Sequence, residues 1–271
     1  MKLLNGSELA SFVKERQAKQ VRALRQAWGI FPRLAIVTDT DNPVIDLYMR
    51  LKQRYGADIL IDVEVHRVTP EELSATISAL NGREDVQGII VQLPITDMAQ
   101  VEQVLSLVAP EKDVDGLHPH TAFDAATPMA INWLLAGYNV ELAGKKIAIV
   151  GRGRLVGAPL EKMWRSSGYN VTVFARGDDL TKLKDFDIIV TATGEPRIIT
   201  HEMVKPGAVL VDAGTASEDG KVYGDVAPEV RTRDDISMTP EKGGVGPLTV
   251  TALFDKVITA CLRIANNKPK K

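Results

Sequence analysis

Short apolar runs and longer amphipathic stretches alternate along most of the chain. Arg33-Leu34-Ala35-Ile36-Val37 reads as a buried strand, because its apolar residues run on without a polar break. Before it, Ser7 caps a helix that runs from Glu8 to about Trp28, with Gly29 as its stop. Pro43 opens a second helix, which passes through Tyr48 and Lys52 to Tyr55-Gly56. Ile59 to Val65 alternates as a strand does. Thr69-Pro70-Glu71-Glu72 has the spacing of a capping box with proline at the first helical position. Gly88 to Leu93 forms a third strand, ended by Pro94. This βαβαβ rhythm predicts an α/β protein with a parallel sheet and functional loops at the C-terminal ends of its strands.

The pattern changes at Pro110-Glu111-Lys112-Asp113-Val114-Asp115-Gly116. From there to Pro128 the chain is rich in Asp, His, Pro and Thr and poor in periodicity, which reads as an interdomain segment followed by a helix from Met129 to Ala136. A second α/β set begins with a strand at Lys146 to Val150. It continues with strands at Val171 to Phe174, Ile188 to Thr191 and Ala208 to Asp212. A last amphipathic helix spans Thr249 to Ala265 and runs out into a frayed basic tail ending at Lys271.

Composition narrows the function classes. The 271 residues are 45% hydrophobic and 25% charged, ordinary globular usage that excludes disorder and fibrous repeats. Lys and Arg total 33 against 35 for Asp and Glu, a net charge of −2 that speaks against a nucleic-acid partner. One cysteine, Cys261, excludes a disulfide framework and a cysteine-based metal cluster. His118 and His120 have no further residues at metal-ligand spacing, so no metal is expected. The first residues lack the apolar core of a signal peptide, and no apolar run reads as membrane-spanning, so a soluble cytoplasmic protein without a membrane partner is expected.

Two regions carry candidate chemistry. Ile147 to Val150 leads into Gly151-Arg152-Gly153-Arg154-Leu155-Val156-Gly157, a strand followed by a glycine turn and a helix start. Glycines let backbone approach a pyrophosphate, and free N–H groups at a helix start face the anion. The spacing is one residue longer than the usual dinucleotide fingerprint. NAD sites commonly carry an acid at the end of the second strand, about 20 residues on. Here that strand leads into Ala175-Arg176-Gly177, with Asp178 and Asp179 just beyond. Arg176 suits a 2′-phosphate, and Arg152 and Arg154 add positive charge, which favours NADP over NAD. In the other region Tyr48 and Lys52 share one helix face, Gln92 ends a strand, and Asp113 and Asp115 sit in one loop. Thr239 to Thr249 is a glycine-proline loop able to bring backbone close to a ligand.

In this combination the chain resembles the bifunctional methylenetetrahydrofolate dehydrogenase/methenyltetrahydrofolate cyclohydrolase family, from about Leu3 to Ala265. The marks stand in family order. They are Tyr48-x-x-x-Lys52, Gln92-Leu93-Pro94, Lys112 to Gly116 with His118-Pro119, Thr127-Pro128, the Gly151-Arg152 turn through Val156-Gly157-x-Pro159, Gly224-Asp225-Val226, and Gly243-Gly244-Val245-Gly246-Pro247.

The resemblance implies two α/β domains with a cleft between them. One is a folate-binding domain of residues 1–117 plus 248–271, and the other a Rossmann-type NAD(P)-binding domain of residues 118–247. It implies a homodimer and a folate substrate. Lys52 would be the cyclohydrolase lysine, Tyr48 would stack near the folate, Gln92 would orient the lysine and the substrate, and Asp115 rather than Asp113 would bond the pterin. Pro240, Gly244 and Pro247 would join the substrate site, and Gly151, Arg152, Gly153, Arg154, Val156, Gly157, Arg176 and Thr215 the NADP site. Hydride transfer from the methylene carbon asks for orientation, whereas hydrolysis of the methenyl cation asks for a base.

Some positions depart from the family pattern. Gly153 stands where serine is usual, Ala130 where glycine is common, and Glu241-Lys242 where an apolar-proline pair is usual. The Asn-x-Gly segment after His118-Pro119 is replaced by His120-Thr121-Ala122-Phe123-Asp124. These differences bear on pocket shape and on the balance of the two activities more than on the fold. The rival readings are an amino-acid or shikimate-type dehydrogenase of the same plan, and a dinucleotide-binding regulator without turnover.

Overall fold

A computed structural model describes residues 2–218 and 221–267. Its elements begin with β1 (Lys2–Leu3), α1 (Gly6–Trp28), β2 (Arg33–Thr38), α2 (Pro43–Asp58), β3 (Asp62–Arg67) and α3 (Leu73–Asn81). Next come β4 (Gly88–Val91), α4 (Val101–Leu105), α5 (Ala126–Gly137), β5 (Ile147–Val150), α6 (Gly157–Ser166) and β6 (Val171–Phe174). The chain closes with β7 (Ile188–Thr191), β8 (Val209–Asp212), β9 (Ala216–Glu218), β10 (Lys221–Tyr223), β11 (Ser237–Met238) and α7 (Val245–Asn267). Two compact units result, one of Phe12–Ala126 with Val250–Lys271, the other of Met1–Ser11 with Thr127–Thr249.

The first unit is built on a parallel sheet in the order β3-β2-β4. The central strand β2 is fully buried from Leu34 to Val37. Because side chains alternate across a strand, its two faces feed two cores. Leu34 and Ile36 pack with Ile45 and Met49 of α2, Val21 and Leu24 of α1, and Leu253, Phe254 and Val257 of α7. Ala35 and Val37 pack with Leu73, Ile77 and Leu80 of α3 and with Val101, Val104 and Leu105 of α4. The edge strand β3 carries Asp62, Glu64, His66 and Arg67, charges that discourage pairing with another chain.

Local chemistry moves several boundaries. Asn5, not Ser7, caps α1: its Oδ1 accepts from the Glu8 N–H at 3.2 Å, while the Ser7 N–H donates to the Gly243 carbonyl. β3 starts at Asp62 rather than Ile59, because Ile59 to Ile61 fold back on Gly56 and Ala57 through backbone bonds and Leu60 has φ +64°. The capping box is half made: the Thr69 N–H donates to Glu72 Oε2 at 3.0 Å, and α3 itself begins at Leu73. α7 starts at Val245, so the glycine-proline loop is shorter than its sequence suggests, and Pro247 sits in the first turn, where its missing N–H costs nothing.

The segment from Pro110 to Ala126 is not a linker. Ile89 and Asp113 form a parallel bridge, Val114 is fully buried, and Phe123 and Ala126 belong to the core with α7. The first unit therefore extends to Ala126, past the expected boundary at residue 117. α7 reaches a mean hydropathy of 1.4, long and apolar enough by composition to cross a membrane, contrary to the expectation that no apolar run is membrane-spanning. Burial of 61% of that stretch accounts for its character as a core helix. The basic tail from Lys268 lies outside the described residues.

The second unit holds a six-stranded sheet in the order β1-β11-β8-β7-β5-β6, every pair parallel, and a β9-β10 hairpin. From β5 the chain goes to β6 on one side and returns to β7 on the other, so the order reverses at β5. Crevices at such reversals are where open α/β sheets bind ligands. Ile147 and Ile149 face one core with Leu134, Leu160 and Trp164; Ala148 and Val150 face the other with Leu183, Leu210 and Val230. The first eleven residues belong to this unit, not to the one expected to run from residue 1 to 117. Lys2 and Leu3 pair with Ser237 and Met238, and the Asn5 N–H donates to the Tyr138 hydroxyl at 2.9 Å.

Phe254 is fully buried and stacks on Tyr55 with ring centroids 4.9 Å apart. Phe254→Ala should lower stability by about 3–5 kcal/mol, read from urea denaturation. A loss below about 1 kcal/mol would show that α7 is not packed as described.

Candidate active site

The first unit assembles Lys52, Gln92 and Asp115 from three neighbouring segments. Gln92 follows β4 directly, and its N–H still donates to the Val37 carbonyl at 2.8 Å, which fixes where the side chain leaves the sheet. The Gln92 amide oxygen accepts from Lys52 Nζ at 2.7 Å, and its amide nitrogen donates to the Leu93 carbonyl at 3.1 Å. The Leu93–Pro94 peptide is cis. Lys52 projects from α2, whose first turn is set by Pro43 and by Asn42 accepting from the Val44 N–H at 2.8 Å. Tyr48 lies one turn earlier and is 37% exposed.

Loss of hydration around Lys52 disfavours its ammonium and lowers its pKa, partly opposed by the nearby Asp115 carboxylate. A neutral amide holds the amine without locking a proton on it as a direct carboxylate partner would. The arrangement suits a lysine that must both carry and release a proton.

The two loop carboxylates have different tasks. Asp113 is 3% exposed, and its Oδ2 accepts from the His118 N–H at 2.9 Å, so it ties its own loop. Gly116, at φ +76°, closes the turn where a side chain would collide with the Asp124 backbone. Asp115 is left to face Lys52. Burial raises its pKa, and Lys52 and then Lys256 oppose that rise. His118 Nδ1 accepts from the His120 N–H, and among the described residues no group of metal-ligating side chains forms.

The second unit presents the glycine turn at the sheet's reversal. Gly151 has φ +100°, and a Cβ there would meet the Ala192 carbonyl; one on Gly157 would overlap the Gly151 carbonyl. The turn can be this tight only with glycine at both positions, which leaves backbone open to a phosphate at the start of α6. Gly153 has open space around it, so the usual serine would fit. Arg152 and Arg154 are exposed, Arg152 bonding Glu161 at 3.2 Å, and Val156 is half-buried. Arg176 is 91% exposed and pairs with Glu195 at 2.7 Å. The two acids beyond it are engaged elsewhere: Asp178 accepts from the Ala175 N–H at 2.7 Å, and Asp179 caps the turn at Thr181. Thr215 is exposed, its carbonyl 3.6 Å from where a Cβ on Gly194 would lie.

A buried acid pair not singled out as functional in the sequence organises these loops. Asp225 is fully buried and accepts from the Thr191 hydroxyl at 2.5 Å, the Thr193 N–H at 2.7 Å and the Gly194 N–H at 3.1 Å. Asp212 accepts from the Gly214, Asp225 and Val226 N–H groups and from Arg231 at 2.5 Å. The signal was Asp225 inside Gly224-Asp225-Val226, a motif with no evident task until the β7 loop closes over it. In the same unit Gly244 is buried against Thr239, Pro240 is half-buried, and Pro247 lies in α7.

Comparison with known proteins finds relatives over nearly the whole chain. Residues 4–115 match the tetrahydrofolate dehydrogenase/cyclohydrolase catalytic domain, and residues 125–265 the NAD(P)-binding domain of the same family. The bifunctional protein FolD of Oleidesulfovibrio alaskensis is 37% identical over 96% of this chain and 98% of its own. The crystal structure of FolD from Campylobacter jejuni, a methylenetetrahydrofolate dehydrogenase/cyclohydrolase, superposes with a TM-score of 0.91 at 32% identity, covering 97% of this chain and 99% of that one. The Trypanosoma brucei enzyme, complexed with NADP cofactor and inhibitor, superposes at 0.90 with 28% identity over 97% of each chain. The chain belongs to the tetrahydrofolate dehydrogenase/cyclohydrolase family.

Proposed function

We propose that this chain oxidises 5,10-methylenetetrahydrofolate to 5,10-methenyltetrahydrofolate with NADP+ and hydrolyses the methenyl product to 10-formyltetrahydrofolate. The observation that carries the reading is the Lys52–Gln92 bond beside Asp115. Asp115 is the carboxylate left for donors on a pterin ring, and Tyr48 offers an exposed ring on the same helix for stacking. Gln92 holds the Lys52 amine by a neutral oxygen. Lys52, desolvated, takes the proton from the attacking water and returns it as the methenyl ring opens. Its base form gains as pH rises through its lowered pKa, so hydrolysis should rise with pH over that range.

The residues of the second unit fit a dinucleotide. Gly151 and Gly157 hold the turn open for a pyrophosphate, with Arg152 and Arg154 adding positive charge, and Gly153 and Val156 complete the turn. Arg176 would take a 2′-phosphate, and Asp178, engaged with Ala175, is unsuited to a ribose 2′-OH; both favour NADP over NAD. When bound, the cofactor supplies the hydride acceptor. Asp225 keeps the Thr193–Gly194 loop in place, and Thr215, Pro240, Gly244 and Pro247 are the further contacts this reading assigns. The reading extends to a cytoplasmic homodimer without nucleic-acid or membrane partners. The direct test is a methenyl absorbance change that depends on both NADP+ and methylenetetrahydrofolate; no change would reject the assignment.

Lys52→Met keeps length and loses the amine. Cyclohydrolase turnover should fall about 100-fold or more, while the dehydrogenase step persists and methenyl absorbance accumulates after NADP+ is added. Clearance of the methenyl product at the parent rate would remove Lys52 from the mechanism.

Arg176→Ala should raise the KM for NADP+ about tenfold and leave that for NAD+ nearly unchanged, because an exposed guanidinium–phosphate contact is screened by water. Equal turnover of the parent protein with both cofactors would overturn the NADP assignment.

A further inference from the structure

α7 carries a lysine that the reactions above do not use. Lys256 is 2% exposed, and its Nζ has no hydrogen-bond partner among the described residues. Its helix neighbours Phe254 and Val257 pack in one core with Val114 and Phe123, which belong to the segment bearing Asp113, Asp115 and Asp124. Those three carboxylates act on the Lys256 ammonium, Asp115 most strongly. The other charged groups nearby on α7 are engaged elsewhere. Asp255 bonds Arg16 at 2.6 Å and Gln17 at 3.1 Å, and Arg263 bonds the Ala122 carbonyl at 3.2 Å and lies over the Phe123 ring. From α2, Lys52 faces the same Asp115 carboxylate.

A buried ammonium without a hydrogen bond is costly unless negative charge compensates it. Here the compensating charge is the substrate-site carboxylate itself. We propose that Lys256 is a positioning residue for the folate site, a fixed buried cation that keeps Asp115 ionised while Lys52 gives up its own charge during hydrolysis. This rests on the function proposed above. With Lys52 protonated, Asp115 has two cationic neighbours; with Lys52 acting as base, Lys256 is the one that remains. Burial lowers the Lys256 pKa to about 8, so it keeps its charge through neutral pH.

The sign of the effect follows from charge alone. Removing a fixed cation raises the proton affinity of every group near it, so Asp115 and Lys52 should both hold protons to higher pH. The test compares Lys256→Met and Lys256→Arg with the parent protein, full length and supplied with NADP+, from about pH 6 to 9. Cyclohydrolase turnover and the KM for methylenetetrahydrofolate are followed at each pH. In Lys256→Met the acid limb of cyclohydrolase turnover should move up by about one pH unit, close to a tenfold loss on that flank. The KM should rise on the same side, while Lys256→Arg tracks the parent. A Lys256→Met profile that superimposes on the parent's, or an Arg variant that shifts as far as the Met variant, overturns the proposal. If Lys256→Met does not fold, Lys256→Gln carries the same comparison with the same outcomes. A parent without cyclohydrolase activity would instead reject the function reading.

Discussion

Parallel strand pairing is the constraint on which both units depend. A parallel strand needs a crossover before the next can pair, so the loops that follow the strands gather at one end of the sheet. In the first unit this puts Gln92, directly after β4, within reach of Lys52 on α2, the helix that follows β2. In the second it puts the Gly151 turn after β5 next to the Thr193–Gly194 loop after β7. Burial of the sheets on both faces makes these positions rigid, since β2 and β5 are enclosed by side chains on either side.

Within that frame, chemistry is tuned by how charge is compensated away from water. Lys52 is held by an amide, and the carboxylate facing it, Asp115, is itself destabilised by burial. Each group's charge therefore favours the charge on the other, against the burial that disfavours both. Asp113, two residues away, accepts from the His118 backbone N–H instead. Identical side chains in one loop thus meet different surroundings, one a backbone N–H and the other a lysine.

The nucleotide-binding unit uses carboxylates differently. Asp212 and Asp225 are surrounded by N–H and hydroxyl donors, with Arg231 balancing the pair. Their task is to hold loop backbone, and the glycines at 151 and 157 supply the close approach that a phosphate needs.

The sequence by itself determined the α/β class, most of the central strands, the glycine turn, the helix bearing Tyr48 and Lys52, and the ordered motifs of the family. These are local signals: β2, β5 and β7 are runs of consecutive apolar residues, and a turn needing positive φ shows as glycine. Tertiary structure decided what depends on distant partners. β1 is two residues long and forms by pairing with β11, a ladder that the Leu4 N–H extends to the Met238 carbonyl, so the unit to which the first residues belong could not be assigned by pattern. The loop from Pro110 to Ala126 lacks periodicity yet is anchored by Asp113 and Val114 against β4 and the core. In the sequence nothing distinguishes Lys256 from any other charge on an amphipathic helix. Only the packing of α7 against the Asp113–Asp124 segment buries that charge among carboxylates, because burial and field depend on neighbours more than a hundred residues away in the chain.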